Sequence, residues 1–330
     1  MKHVNRRHAI ATTLTAFSAS QLVMNSVFAQ ANKVTRVIIG FPPGGGVDVA
    51  LRPVVQNMTD AYPAGLIIEA KPGASTRVAA EFVKASAPDG TTMLVTPDFS
   101  FTLVPFTFKN VNFDPLKDFV PVATMYKNPL VLCVGPSVPD SVKTVADFLE
   151  WCKVNPKQAA YASSGSGGGP HFTGVMLSKA SGVPLLHVPY KGGLPALTDV
   201  MGGQIACVFS TVAECLPRLG TGRLRALASA GTKRSKFLPQ VPTMIELGYP
   251  DVVSEPWVGF YVPANTPKAI VTRINSQVNE ALRLPAVIET YAKQGAEPML
   301  STPEATAALL AADYARWGAI VKASGFTAEE

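Results

Sequence analysis

Two glycine-rich segments hold the residues whose types and spacing best suit chemistry. Phe41-Pro42-Pro43-Gly44-Gly45-Gly46-Val47-Asp48 follows the β-branched run Val34-Thr35-Arg36-Val37-Ile38-Ile39, and Ser163-Ser164-Gly165-Ser166-Gly167-Gly168-Gly169-Pro170-His171 follows Tyr161-Ala162. Glycine lets a backbone approach a ligand closely, and a helix start leaves amide donors and partial positive charge facing it. Each loop is therefore a small anion pocket, and two on one chain point to a carboxylate-bearing ligand held between two lobes. The hydroxyls of Ser163 and Ser164 can donate to such a group. His171 either polarises a ligand oxygen or orders its loop, and Tyr190 either faces the ligand or packs beneath the loop. Asp48 contacts ligand or caps its own helix, with Arg52 four residues on to pair with it. Arg77 is either a solvated charge or a second carboxylate partner.

The same residues permit a rival reading as an enzyme. Ser164 and Ser166 near His171 suggest acyl transfer, but neither serine sits in Gly-x-Ser-x-Gly and no acid is placed to orient the histidine. Neither Gly-x-x-x-x-Gly-Lys-Ser/Thr nor Gly-x-Gly-x-x-Gly after a strand occurs, so nucleotide chemistry has no support. With four histidines and no paired spacing, no metal or other cofactor is expected. A module that presents a bound solute to a membrane kinase would use the same binding loops as a transport receptor.

The chain has 330 residues, 47% hydrophobic and 16% charged, enough for one large or two medium α/β domains with real cores. Residues 1–31 read as an export signal: Lys2, Arg6 and Arg7, an uncharged run from Ala9 to Phe28, then small residues at cleavage spacing near Ala29 or Ala31. The paired arginines hint at twin-arginine export as against the general route. Removing the three basic residues from the formal charge of +6 leaves about +3, too little to argue for nucleic acid. The expected destination is the periplasm. Cys133, Cys152, Cys207 and Cys215 show no Cys-x-x-Cys spacing. They read best as small buried hydrophobes, with one disulfide as the alternative in an oxidising compartment.

Short β-branched runs alternate with helical stretches, which predicts an α/β fold with mainly parallel sheets. Thr144 with Asp147 resembles a capping box, and Thr266-Pro267 and Thr302-Pro303 each place a cap before a first-turn proline. The helix opened by Thr302 should stop near Gly325, and the one after Pro170 should run from His171 to about Ala180, short of Gly182. Pro53 should bend the helix begun near Asp48. Two extended segments, Pro129 to Val134 and Glu255 to Pro263, look like crossings between lobes, with Trp257 packing at the second. The expected division is a signal over 1–31, a first lobe from 32–128 and 255–330, and a second lobe from 129–254.

The ordered set of these motifs resembles the Bug (Bordetella uptake gene) family, the periplasmic solute receptors of tripartite tricarboxylate transporters. Matching pieces run almost end to end. They include Phe41-Pro42-Pro43-Gly44-Gly45 with Asp48 and Arg52, Pro72-Gly73-Ala74, Pro88-Asp89-Gly90, and Phe113-Asp114-Pro115-Leu116-Lys117-Asp118-Phe119. Tyr161-Ala162-Ser163-Ser164-Gly165 with His171, His187-Val188-Pro189-Tyr190-Lys191-Gly192, Val241-Pro242-Thr243 and Trp257-Val258-Gly259 complete the set. The resemblance implies a two-lobed, type II periplasmic-binding-protein-like fold that closes on a carboxylate, di-, tri- or aromatic. It implies no catalysis, a monomer, and delivery to the transporter's membrane components. By position Phe41, Gly44, Gly45 and Asp48 form one jaw, and Ser163, Ser164, Gly165, Gly167 and His171 the other, with Tyr190 nearby. One departure stands out: where the family shows Asn-x-Pro-Gly-Ala-Gly-Gly, this chain has Ala70-Lys71-Pro72-Gly73-Ala74-Ser75-Thr76, then Arg77.

Overall fold

The chain alternates strand and helix from its first described residues; the structure, a computed structural model, describes residues 33–327. The expected export signal lies outside them. β1 (Thr35–Ile39), α1 (Gly46–Gln56), β2 (Leu66–Ala70), α2 (Arg77–Lys84) and β3 (Thr92–Pro97) form parallel crossover units. Two helical turns, α3 (Phe99–Thr102) and α4 (Val104–Thr107), lead to the long β4 (Phe119–Lys127). The chain then builds a second sheet from β5 (Leu130–Val134), α5 (Val145–Val154), β6 (Ala160–Ser163), α6 (Gly169–Ser181) and β7 (Leu186–Pro189). It continues through α7 (Gly193–Met201), β8 (Cys207–Thr211), α8 (Val212–Leu219) and β9 (Arg225–Ser229). It returns through β10 (Trp257–Pro263), α9 (Lys268–Leu282), α10 (Pro285–Lys293), β11 (Glu297–Pro298) and α11 (Pro303–Ser324). The sheets run β11-β4-β10-β3-β1-β2 and β7-β6-β8-β5-β9, giving a two-lobed α/β protein.

Side-chain alternation explains why both sheets are sandwiched. On β1, Val37 and Ile39 join the core with α1 and α9, while Ile38 joins the opposite layer with Ala79, Ala80 and Val83 of α2. On β5, Leu132 and Val134 face one layer, and Val131 and Cys133 the other. A strand covered on both faces must be apolar throughout, which the sequence shows as unbroken β-branched runs.

The sheets are mixed rather than mainly parallel. β10 pairs antiparallel with β3 and β4, and β5 pairs antiparallel with β8 and β9. The reason is topological: a chain that leaves a lobe and comes back re-enters its sheet from the opposite end. The two crossings lie side by side, with Asn128 N donating to Pro256 O at 2.8 Å and Leu130 N to Ser254 O at 3.1 Å. Lys127 and Glu255 pair across them at 3.1 Å. α11 is a third tie, since Leu310 packs in a first-sheet core layer and Trp317 and Val321 pack with second-sheet residues.

Local punctuation mostly follows the sequence. Thr144 and Asp147 form the reciprocal capping box of α5, Thr302 accepts from Ala305 N, and Gly182 and Gly325 end α6 and α11 in left-handed conformation. Thr266 differs: its hydroxyl donates back to Pro263 O at 2.7 Å, so α9 starts at Lys268 without a side-chain cap. α1 continues through Pro53 to Gln56, with the backbone bond that Pro53 cannot donate given up. All four cysteines are free and buried in the second sheet's core layers.

Candidate functional site

The first glycine-rich loop joins β1 to α1, with Gly44 at φ +84°, a conformation glycine adopts without steric cost. Asp48 turns back beneath it, only 1% exposed. Its Oδ2 accepts from Gly44 N at 2.7 Å and Arg52 Nε at 2.9 Å, so the Gly44 amide is engaged by Asp48. α1 has Gly45 as its N-cap and no side-chain cap. The amides of Gly46, Val47 and Asp48 are thus the first-turn donors without a backbone acceptor.

This loop opens on a cavity of about 760 Å³. Phe41 and Gly44 to Val47 form one side, with Pro97, Phe99 and Tyr126 behind them. Trp257 and the crossing residues Asn128 and Pro256 form the floor, and Thr211, Ala213 and Glu214 at the start of α8 close it from the second lobe. Lys293 and Gln294 reach its rim. The walls are apolar and aromatic with few polar groups, the composition of a small-molecule site. Trp257 does more than pack: it lines the cavity while its indole N–H donates to Asp313 at 2.9 Å.

The second loop is held by a network of internal hydrogen bonds. Ser163 is fully buried, its Oγ bonded to His187 Nε2 at 2.6 Å and donating to Gly165 O at 2.9 Å. His171 Nδ1 accepts from Gly167 N at 3.1 Å, and its ring stacks on His187 at 3.9 Å. Burial lowers the His171 pKa; burial, then the neighbouring His171, lowers that of His187 to about 4, so both rings are neutral at pH 7. The Tyr190 hydroxyl donates to Asp199 at 2.8 Å; burial first, then that bond, pushes its pKa up to about 12. The backbone of Tyr190 and Gly192 donates to the carbonyls of Ser163 and Ser164, fastening this turn to the loop. Ser164 remains exposed. Gly167 lies against Thr107 and Phe326, which places the loop beside α4 and the chain end. None of these residues lines the cavity reached by the first loop.

Arg77 has another task. Its Nε donates to Ala74 O at 2.9 Å and its guanidinium to Asn110 O at 2.8 Å, stacked 4.2 Å over the Phe108 ring. It braces the turn in which Ala74, Ser75 and Thr76 all hold positive φ. That turn supports the first loop from behind, because Thr76 packs 2.7 Å from where a Gly40 side chain would begin. Sequence reasoning passed over Thr211 and Glu214. The signal was present: Thr-x-x-Glu directly after an apolar strand marks a helix start.

A family model described as the tripartite tricarboxylate transporter family receptor matches residues 50–326. The chain belongs to this receptor family. It is similar to protein BugT of Bordetella pertussis, 32% identical over 291 residues, covering 88% of this chain and 89% of that one. Its fold is similar to that of R. palustris Rpa4515 with adipate, at TM-score 0.76 and 28% identity, covering 88% of this chain and 97% of that one. MatC from Rhodopseudomonas palustris with bound malate matches at TM-score 0.72 and 26% identity, over 87% and 98%. The receptor is therefore a periplasmic-type solute-binding protein and not an enzyme.

Proposed function

We propose that this receptor captures a small carboxylate between its lobes and delivers it to the membrane components of a tripartite tricarboxylate transporter. The observation that supports this most is the inter-lobe cavity into which the uncapped start of α1 opens. Amide donors and the helix dipole favour an anion there, and the aromatic walls favour an apolar or aromatic body behind it. Relatives of the same fold hold adipate and malate, which supports the same ligand class here. The contacts proposed are the Gly46 and Val47 amides, with Phe41, Gly44 and Gly45 shaping the wall and Asp48 ordering the loop. Ser164, Gly165 and Gly167 are proposed to join from the second lobe on closure, held in place by Ser163, His171 and Tyr190.

Closure would bend the paired crossings at 127–130 and 254–257, where few backbone bonds join the lobes. The receptor would act as a monomer in the periplasm after removal of its signal near Ala29 or Ala31. The test is calorimetry with matched acids and primary amides. Affinity for acids alone is expected, since the donors lose a charge-assisted partner in the amide. Equal affinity for both would refute the anion site.

A further inference from the structure

Glu214 is among the second-lobe residues that line the cavity. Glu214 stands in the first turn of α8, where Thr211 already caps the helix by accepting from Glu214 N at 3.3 Å. The Glu214 side chain turns instead to the Ser210 hydroxyl. It lies flat against Gly193, so that a methyl there would overlap both carboxylate oxygens. Among the described residues no basic side chain forms an ion pair with it. Arg218, one turn on, bonds the Glu214 main-chain oxygen at 2.6 Å rather than its carboxylate. Lys293, which lines the cavity, pairs with Glu289 at 2.9 Å, and Lys127, next to the lining residue Asn128, pairs with Glu255 at 3.1 Å.

The two walls are therefore electrostatically unlike. The first-lobe wall offers amide donors and the positive end of α1; on the second-lobe wall the start of α8 carries Glu214, bonded to Ser210 and without an ion-pair partner among the described residues. A solute with a carboxylate at each end would satisfy the first and be repelled by the second. We infer that Glu214 is a specificity residue that selects solutes bearing a carboxylate at one end and an ammonium group at the other, over dicarboxylates of equal length. This inference rests on the carboxylate-receptor reading above and names its ligand class more narrowly. A residue serving only the α8 dipole would stabilise the helix by a charge in its first turn and leave ligand preference untouched.

The test is calorimetry of the purified receptor with pairs matched in length: succinate and 4-aminobutanoate, glutarate and 5-aminopentanoate, adipate and 6-aminohexanoate, terephthalate and 4-(aminomethyl)benzoate. Hexanoate and benzoate report on the amide end alone. In the best-bound pair the amino acid should bind at least about tenfold more tightly than the diacid, and Glu214→Gln should bring the ratio close to one. A wild-type ratio near one, or one favouring the diacid, overturns the inference without any variant. So does an unchanged ratio in folded Glu214→Gln. Binding of hexanoate or benzoate alongside such a ratio leaves the carboxylate receptor standing; failure of every acid to bind removes both readings.

Discussion

Replacing Asp48 with alanine separates two contributions that meet on one oxygen. Asp48 Oδ2 accepts from the Gly44 amide at 2.7 Å and from Arg52 at 2.8–2.9 Å, while buried Oδ1 has no partner. A hydrogen bond to a charged group contributes about 1.5–3 kcal/mol. The Arg52 side chain is 54% exposed, so its share is discounted to about 0–1 kcal/mol by solvent screening. Relief of the unpartnered oxygen offsets roughly 1 kcal/mol. The net loss for Asp48→Ala is then about 0.5–3 kcal/mol, a fall in melting temperature of roughly 1–10 °C. Arg52→Ala should cost under about 1 kcal/mol. Differential scanning calorimetry of both variants and the double variant checks this. If Arg52→Ala costs as much as Asp48→Ala, the surface ion pair rather than the loop amide dominates, and the reasoning fails. Carboxylate affinity should fall in Asp48→Ala and hold in Arg52→Ala, because only the former frees Gly44 from its positive φ.

Four further outcomes follow from burial, strain and packing. Burial, then the charge of Asp313, raises the Asp98 carboxyl to about 8, so the native state holds a proton that the unfolded state releases above its pKa of 3.8. Stability should decline from pH 4 to pH 8 through this group, and Asp98→Asn should flatten that slope and melt higher at pH 8; an unchanged slope would count against it. His187 has the opposite sense. Its folded pKa of about 4 lies below the ordinary 6.5, so stability should be lost as pH falls through that window, and thermal melts of His187→Gln should show less acid loss. Ser75, at φ 53°, ψ 47°, is strained where glycine is not, so Ser75→Gly should raise stability by up to about 1 kcal/mol in denaturant titrations. Thr76→Gly should lower it, since Thr76 loses its 2.7 Å bond to the Ser100 hydroxyl and its packing on Gly40.

Much of this architecture is legible in sequence because its causes are local. Val37, Ile38 and Ile39 read as a buried strand from three consecutive apolar β-branched residues, and Thr144 with Asp147 reads as a helix start from a spacing of three. Gly44 to Gly46 reads as a strand-to-helix turn because chain order alone places glycines between a strand and a helix. Thr266 shows the limit even here, since its hydroxyl chooses a carbonyl three residues back over the helix ahead.

What the tertiary structure alone decided is which polar groups remain free. Ser163, His171 and Tyr190 have the right chemistry for ligand contact, yet His187, Gly167 and Asp199 engage them inside the second lobe. Asp48 engages the Gly44 amide, and Arg77 stacks on Phe108. The cavity gathers Phe41, Asn128, Glu214 and Trp257, separated by more than two hundred residues end to end. Whether a donor faces solvent or a neighbour depends on contacts between distant segments, and no local pattern records them.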